Sequence, residues 1–176
     1  IEKLFQDRGT KVIFGLETRT KKANITLLAK NRRGVKKLYQ VVLSLDEDAL
    51  GGVVAHEWIM AMRDDLLIGS ACEHGALAKA IEEGKAWDEL TQIAAEFDYL
   101  EISPVFAEDT VRIIIKLGKE LSIPVCVVSD ARFIKPEDEY LLRVHNGSDI
   151  EPPRYLHGIY SKNLLFSYLD EETREE

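Results

Sequence analysis

Several features are scarce in this sequence of 176 residues, and each absence narrows the class of protein that it can encode. The only cysteines are Cys72 and Cys126, which argues against a disulfide scaffold and for a reducing compartment. No apolar run reaches the roughly 18 residues that a membrane span needs, and no basic-then-apolar leader opens the chain. We therefore expect a cytoplasmic, globular protein without a membrane segment.

Positive charge is also in deficit. The chain has 31 acidic and 23 basic side chains and a net charge of -8, which argues against a surface that grips a phosphate backbone by itself. The length suits a single domain over residues 1–176 with an acidic tail at 170–176. Because the first residue is Ile1 and not methionine, we expect the sequence to begin inside a longer chain.

Short apolar runs alternate with amphipathic helical patterns along the chain, which predicts an α/β fold. The runs are continuously apolar, a pattern typical of mostly parallel strands flanked by helices. The predicted strands are residues 12–16, 25–29, 66–70, 99–102 and 124–128, with a loop at 18–22. The predicted helices are residues 32–45, 56–63, 74–83, 85–96, 111–121, 136–144 and 161–169, and we expect Asn31 to cap the first of them.

Polar residues with ligand chemistry follow three of these strands. Glu17, Cys72 and Asp130 each lie within about two residues of a strand's carboxyl end, where functional groups of α/β folds collect. A thiolate beside carboxylates suits zinc or a mixed transition-metal site. Each residue also has a structural interpretation: a solvated loop carboxylate, a small packed thiol and a turn cap, respectively. None of the four histidines directly follows a predicted strand.

One concentrated basic patch stands out in this acidic chain. Two interpretations stay open: a solvated helix face with a polar loop, or a contact with nucleic acid or an acidic neighbouring domain. The sequence contains no glycine-rich phosphate loop, nucleophile elbow or paired-cysteine zinc motif. The patch consists of Lys21, Lys22, Lys30, Arg32, Arg33, Lys36 and Lys37.

Seven segments, in this order, resemble the polymerase and histidinol phosphatase (PHP) domain in the form found in PolC-type bacterial DNA polymerase III. The most specific are the leucine-rich strand before Cys72 and the stretch before Asn31. The segments are residues 11–17, 25–31, 66–72, 97–102, 117–119 with 123–125, 136–138 and 166–169. The resemblance implies a distorted barrel of seven strands, of which this chain would be an incomplete or divergent version lacking the early His-x-His segment.

The resemblance also implies a metal cluster of zinc, manganese or magnesium at the strand ends, with the family's ligands falling on Glu17, Cys72 and Asp130. Two positions depart from the family pattern. Asn24 stands where the family has histidine, and Arg132 stands where the late Asp-x-His motif ends. We hypothesise that the permanently charged guanidinium of Arg132 supplies the positive charge that metals supply in active relatives.

Three functions remain open at this point. The first is a metal-poor PHP module that is not catalytic by itself and supports the polymerase and exonuclease of a DNA-directed DNA polymerase. Its partners would be the other polymerase domains, and it would contact DNA only through the parent chain. The second is an active metal-dependent phosphoesterase acting on phosphate esters or nucleotides, with the missing ligands upstream. The third is a stand-alone remnant used for protein interaction.

Overall fold

Strands and helices alternate along the molecule. The structure is a computed structural model and describes residues 9–47, 53–103 and 106–128. Its strands are β1 (Gly15–Thr20), β2 (Asn24–Ala29), β3 (Val53–Val54), β4 (Leu66–Gly69), β5 (Leu100–Ile102) and β6 (Val125–Val127). Its helices are α1 (Arg32–Glu47), α2 (His56–Met60), α3 (Ala76–Glu82), α4 (Trp87–Ala94) and α5 (Glu108–Leu121). The mixed α/β class is as predicted.

The first sheet has the strand order β3-β1-β2-β4 and is mostly antiparallel. β2 runs antiparallel to both β1 and β4, and only β3 is parallel to its neighbour β1. Residues 21–23 are too few for the crossover that parallel strands require, so β1 and β2 form a hairpin. Thr20 closes it, because its Oγ1 accepts hydrogen bonds from the backbone N–H groups of Lys22 and Ala23, each at 3.2 Å. The expectation of mostly parallel strands is therefore wrong.

A second sheet pairs β5 and β6 in parallel and adjoins the edge of the first at β4. The Asp98 N–H donates to the Ile68 carbonyl at 2.8 Å, and the Ser70 N–H donates to the Tyr99 carbonyl at 3.2 Å. A parallel bridge between Gly69 and Tyr99 completes the junction. The described ranges thus contain six strands placed side by side, and they do not confirm the expected seven-stranded barrel.

The core lies under β2, β4 and β5, and α5 covers part of it. Burial of such aliphatic side chains is the main contribution to stability, at about 25 cal/mol for each Å² of apolar surface removed from water. The helix buries one face because its apolar residues recur every three or four positions. Fully buried core residues are Ile25, Leu27, Leu66, Ile68, Leu100, Ile102, Ile114 and Leu117.

The first strand differs most from its predicted bounds. β1 begins at Gly15 and runs to Thr20, so it covers part of the predicted strand 12–16 and most of the predicted loop 18–22. Thr18 and Thr20 are buried while Glu17 and Arg19 are exposed, which is the period-two pattern of a half-buried strand. The basic residues nearby masked this alternation in the sequence.

The short strand β3 was not predicted. The other elements from β2 to β6 match their predictions to within about three residues at each end. Among the described residues, no helix has both the length and the apolar character to cross a membrane. The predicted helices at 136–144 and 161–169, and the tail at 170–176, lie outside the described residues.

Candidate functional site

The hairpin of β1 and β2 holds two of the predicted site residues. Asn24 pairs with Arg19 in the strand register, which places its side chain near Glu17. Its amide Nδ2 donates a hydrogen bond to Glu17 Oε1 at 2.9 Å. The amide at the position where the resemblance puts a histidine therefore binds the carboxylate at the position of the family's glutamate ligand.

The turn after β4 brings Cys72 to the same end of the sheet. Ala71 has a positive φ of 55°, and the Gly75 N–H donates to the Cys72 carbonyl at 2.8 Å, so residues 70–75 fold back as a tight turn. A Cβ at position 75 would clash with the Ser70 carbonyl oxygen and lie 3.0 Å from the Cys72 carbonyl oxygen, so the turn needs glycine there. The Asn24 N–H donates to the His74 carbonyl at 3.0 Å, which ties this turn to the start of β2.

Glu101 is the carboxylate that sequence reasoning missed. It lies in β5 with only 4% of its surface exposed, and the Cys72 thiol donates a hydrogen bond to its Oε2 at an S···O distance of 3.6 Å. Its backbone N–H donates to Ser70 Oγ at 2.9 Å. The sequence did carry a signal, because Leu100 and Ile102 flank an acid in the middle of a buried strand. A buried charge of this kind requires partners and marks special sites.

The surroundings keep the thiol protonated. Burial raises the pKa of Cys72, and the negative charges of Glu101, Glu73 and Glu17 raise it further. Glu17 is therefore close enough to Cys72 to act on it electrostatically, so the structure brings these two predicted residues into one neighbourhood. Asp130 and Arg132, the other members of the predicted site, lie outside the described residues.

Two more groups adjoin the Glu101 carboxylate. Burial raises the pKa of Tyr99, and the charge of Glu101 and a hydrogen bond to it add to this effect. Gly69 leaves the space for that contact, because a Cβ at this position would lie 2.7 Å from Glu101 Oε1. On the other side, Cys126 pairs with Glu101 in the β5–β6 register, and burial followed by the Glu101 charge raises the pKa of its thiol.

The possible metal-ligating side chains within the described ranges do not fit a bound metal. No three of their histidine, cysteine, aspartate and glutamate side chains are arranged to hold an ion. Metal ligation needs a thiolate and open carboxylate oxygens, whereas Cys72 donates to Glu101 and Glu17 accepts from Asn24. His56, a further possible ligand, has its Nε2 3.0 Å from Glu96 Oε2, its buried Nδ1 has no hydrogen-bond partner among the described residues, and it forms no three-residue ligand group there.

Ion pairs occupy part of the basic patch. Lys22 Nζ lies 3.4 Å from Glu96 Oε1. Arg33 Nε and Lys37 Nζ lie 3.1 Å and 3.0 Å from the two carboxylate oxygens of Asp65, which is 4% exposed. Each of these three cations thus has an ion-pair partner within the fold. The members of the patch with no ion pair in the part of the chain that the structure describes are Lys21, Lys30, Arg32 and Lys36.

The mixed α/β fold is consistent with a PHP-type domain, and comparison with known families identifies the family. The model of the PHP domain family matches residues 2–104, which is more than half of the chain. The chain belongs to the PHP domain family.

The similar curated proteins are replicative polymerases of bacteria. The chain is 36% identical to the DNA polymerase III PolC-type of Clostridium perfringens over 177 residues, covering 87% of this chain and 12% of that protein. It is 33% identical to the DNA polymerase III PolC-type of Thermotoga maritima over 136 residues, which cover 69% of this chain and 10% of that protein. The protein of the same name from Lactococcus lactis is 29% identical over 191 residues, which cover 87% of this chain and 12% of that protein. The chain thus spans about a tenth of the length of these relatives.

Proposed function

We propose that this chain is the PHP module of a PolC-type DNA polymerase III and that its role is structural more than catalytic. Family membership and the polymerase relatives support the first part of the proposal. The second part rests on one observation: the amide of Asn24 donates to Glu17, so a neutral donor meets the carboxylate that the resemblance assigns to a metal.

Hydrogen bonds between protein groups satisfy the polar side chains of the site without a metal ion. Hydrolysis of a phosphate ester by a metal-dependent enzyme requires an ion that activates water and neutralises charge in the transition state. In this chain the thiol of Cys72 and the carboxylate of Glu101 satisfy one another, as do Asn24 and Glu17. We regard Glu17, Cys72 and Asp130 as remnants of a ligand set, with Asn24 and Arg132 replacing two of its histidines.

The proposed partners are the other domains of the replicative polymerase, including its exonuclease, and the proposed location is the cytoplasm. DNA would be reached through the parent chain, since this segment carries a net charge of -8. Residues 1–176 would then act as a single module within that larger protein.

A second candidate is a metal-dependent phosphoesterase of the PHP family. One observation favours it: Cys72, which like Glu17 matches one of the family's ligands, lies within electrostatic reach of both Glu17 and the buried Glu101. Additional ligands from outside the described residues would then complete the site.

An activity assay separates the two candidates. The purified chain is incubated with p-nitrophenyl phosphate and with a 3′-phosphorylated oligonucleotide, in the presence of Mn²⁺, Mg²⁺ or Zn²⁺. We expect hydrolysis no faster than that of the double variant Glu17→Gln/Cys72→Ser. Hydrolysis that this variant loses, and that the exposed control variant Glu57→Gln keeps, would establish the phosphoesterase.

A further inference from the structure

Helix α1 presents an exposed stripe that no other described element covers. Its inner face buries Leu38 and Val41 against the first sheet. The opposite side carries Tyr39 and Leu43, four positions apart, with 64% and 62% of their surfaces exposed. Large apolar side chains that are exposed side by side are typical of contact surfaces. The stripe continues toward the start of the helix at the same spacing and is defined here as Arg32, Lys36, Tyr39 and Leu43.

The two cations of the α1 stripe are available for a contact. Arg33 and Lys37 pair with Asp65, but within the described ranges Arg32 and Lys36 have no ion pair. Arg32 also lies in the first helical turn, which contains no acidic residue. The helix macrodipole disfavours a cation in this first turn. A binding partner with carboxylates near the start of α1 would neutralise these cations. Apolar side chains near Leu43 would cover the exposed Tyr39 and Leu43.

The carboxyl-terminal sequence of this chain has that composition. Residues 164–169 include five apolar or aromatic side chains, and residues 170–176 include five acids. A phosphate backbone would satisfy Arg32 and Lys36 but would leave Tyr39 and Leu43 uncovered. We propose that the carboxyl-terminal segment 161–176 of this chain docks antiparallel on the α1 stripe.

The spacing of the segment matches that of the stripe. In a helix, positions 165, 169, 172 and 176 share one face, at the same intervals that separate the four stripe residues. The antiparallel arrangement then sets Leu165 against Leu43 and Glu172 against Lys36. Leu169 would meet Tyr39 and Glu176 would meet Arg32. The connection from Val128 does not restrict this contact, because residues 129–160 can span on the order of 100 Å when extended.

Cysteine cross-linking in the full chain tests the proposed docking. Leu43→Cys and Leu165→Cys are combined in a Cys126→Ser background, which removes the exposed native thiol. The matched control combines Leu165→Cys with Lys119→Cys, at an exposed position of α5. Under mild oxidation, we expect the 43–165 disulfide to form within single chains about ten times faster than the 119–165 disulfide, because docking raises the effective concentration of the paired thiols.

Charge reversal tests the register. Lys36→Glu is expected to slow the 43–165 cross-link severalfold, and adding Glu172→Lys to it is expected to restore the rate; Lys79→Glu on α3 serves as the control that leaves the rate unchanged. Equal rates for the two cysteine pairs, disulfides formed only between chains, or no rescue by Glu172→Lys would each overturn the proposal. A different result would also overturn it: Lys36→Glu weakens the binding of duplex DNA but leaves the cross-linking rate unchanged. The α1 stripe would then be a nucleic-acid contact.

Discussion

At the residue scale, the side chain of Asn24 differs from an imidazole in how it can interact with Glu17. A neutral imidazole nitrogen can bind a metal, whereas the Nδ2 of an asparagine side chain is only a hydrogen-bond donor. In this chain Nδ2 lies 2.9 Å from Glu17 Oε1 and satisfies that carboxylate directly. Under the proposed function, the exchange of an imidazole for this amide gives Glu17 a neutral hydrogen-bond donor as its partner.

Cys72 offers a second test at this scale. Alkylation proceeds through the thiolate, and burial and Glu101 raise the pKa of Cys72, so the thiol should react slowly at pH 8. Glu101→Gln removes the largest of the charges that raise this pKa, which lowers the pKa and increases the thiolate fraction. We expect the variant to be alkylated by iodoacetamide severalfold faster at Cys72, as measured by mass spectrometry of the modified peptide.

The control for this experiment is Glu96→Gln, because Glu96 pairs with Lys22 and His56 and is not among the groups that shift the pKa of Cys72. An unchanged alkylation rate at Cys72 in Glu101→Gln, with the fold intact, would show that the Glu101 carboxylate does not control this thiol.

At the element scale, the start of α1 is fixed by a cap and an anchor. Asn31 Oδ1 accepts hydrogen bonds from the N–H groups of Arg33 and Gly34, at 2.8 Å and 3.0 Å, as the sequence predicted for a capping residue. Asn31 Nδ2 also donates to Asp65 Oδ1 at 2.9 Å. This hydrogen bond, together with one from Lys37, lowers the pKa of Asp65 and keeps the carboxylate charged beside the helix.

Gly34 allows the helix to approach the sheet closely. A Cβ there would lie against the Asp65 carbonyl oxygen and 3.1 Å from the Cα of Ala29. Alanine is the better helix former by about 1 kcal/mol, so propensity alone predicts that Gly34→Ala stabilises the protein. We expect the opposite, a loss of about 1–3 kcal/mol in the free energy of unfolding measured in urea, because backbone must move to admit the methyl group.

Gln40→Ala, an exposed change in the same helix, is the matched control and should leave the free energy of unfolding within about 0.5 kcal/mol of the parent. If Gly34→Ala proves as stable as the parent chain, α1 does not pack against β2 and Asp65 as closely as described.

Strand direction shows where the sequence falls short at this scale. A continuously apolar run indicates burial on both faces of a strand, but it carries no information about the direction of the neighbouring strand. The informative feature was the length of the connection. Once β1 is seen to reach Thr20, the three residues before Asn24 permit only a hairpin.

At the scale of the whole molecule, Asp98 joins the two sheets. Its carboxylate accepts a hydrogen bond from the Ile68 N–H in β4 at 2.8 Å and from Arg63 Nε at 3.1 Å. Asp98→Ala would leave the Ile68 N–H without this acceptor at the junction. We expect the free energy of unfolding to fall by about 1–3 kcal/mol in urea denaturation.

The exposed neighbour Asp64 provides the comparison, since Asp64→Ala should change stability by less than about 0.5 kcal/mol. Equal effects of the two substitutions would mean that the junction between β4 and β5 does not depend on the Asp98 side chain.

The sequence predicted the α/β class, the order of the elements and the capping role of Asn31, because these depend on local periodicity and on local hydrogen bonds. It also singled out Glu17 and Asn24, which the hairpin brings into contact. Glu101 escaped notice because its importance comes from a tertiary contact, the approach of Cys72 from the turn after β4. Spacing along the chain does not reveal such a contact.

We propose that hydrogen bonds between protein groups, and not a bound metal ion, stabilise the arrangement of Glu17, Asn24, Cys72 and Glu101. The decisive measurement is elemental analysis of the purified chain after incubation with excess Zn²⁺ and Mn²⁺ and removal of unbound ions. We expect far less than one transition-metal ion per chain, with no difference between the parent and Glu17→Gln/Cys72→Ser. One or more ions per chain in the parent, lost in that variant, would refute the proposal.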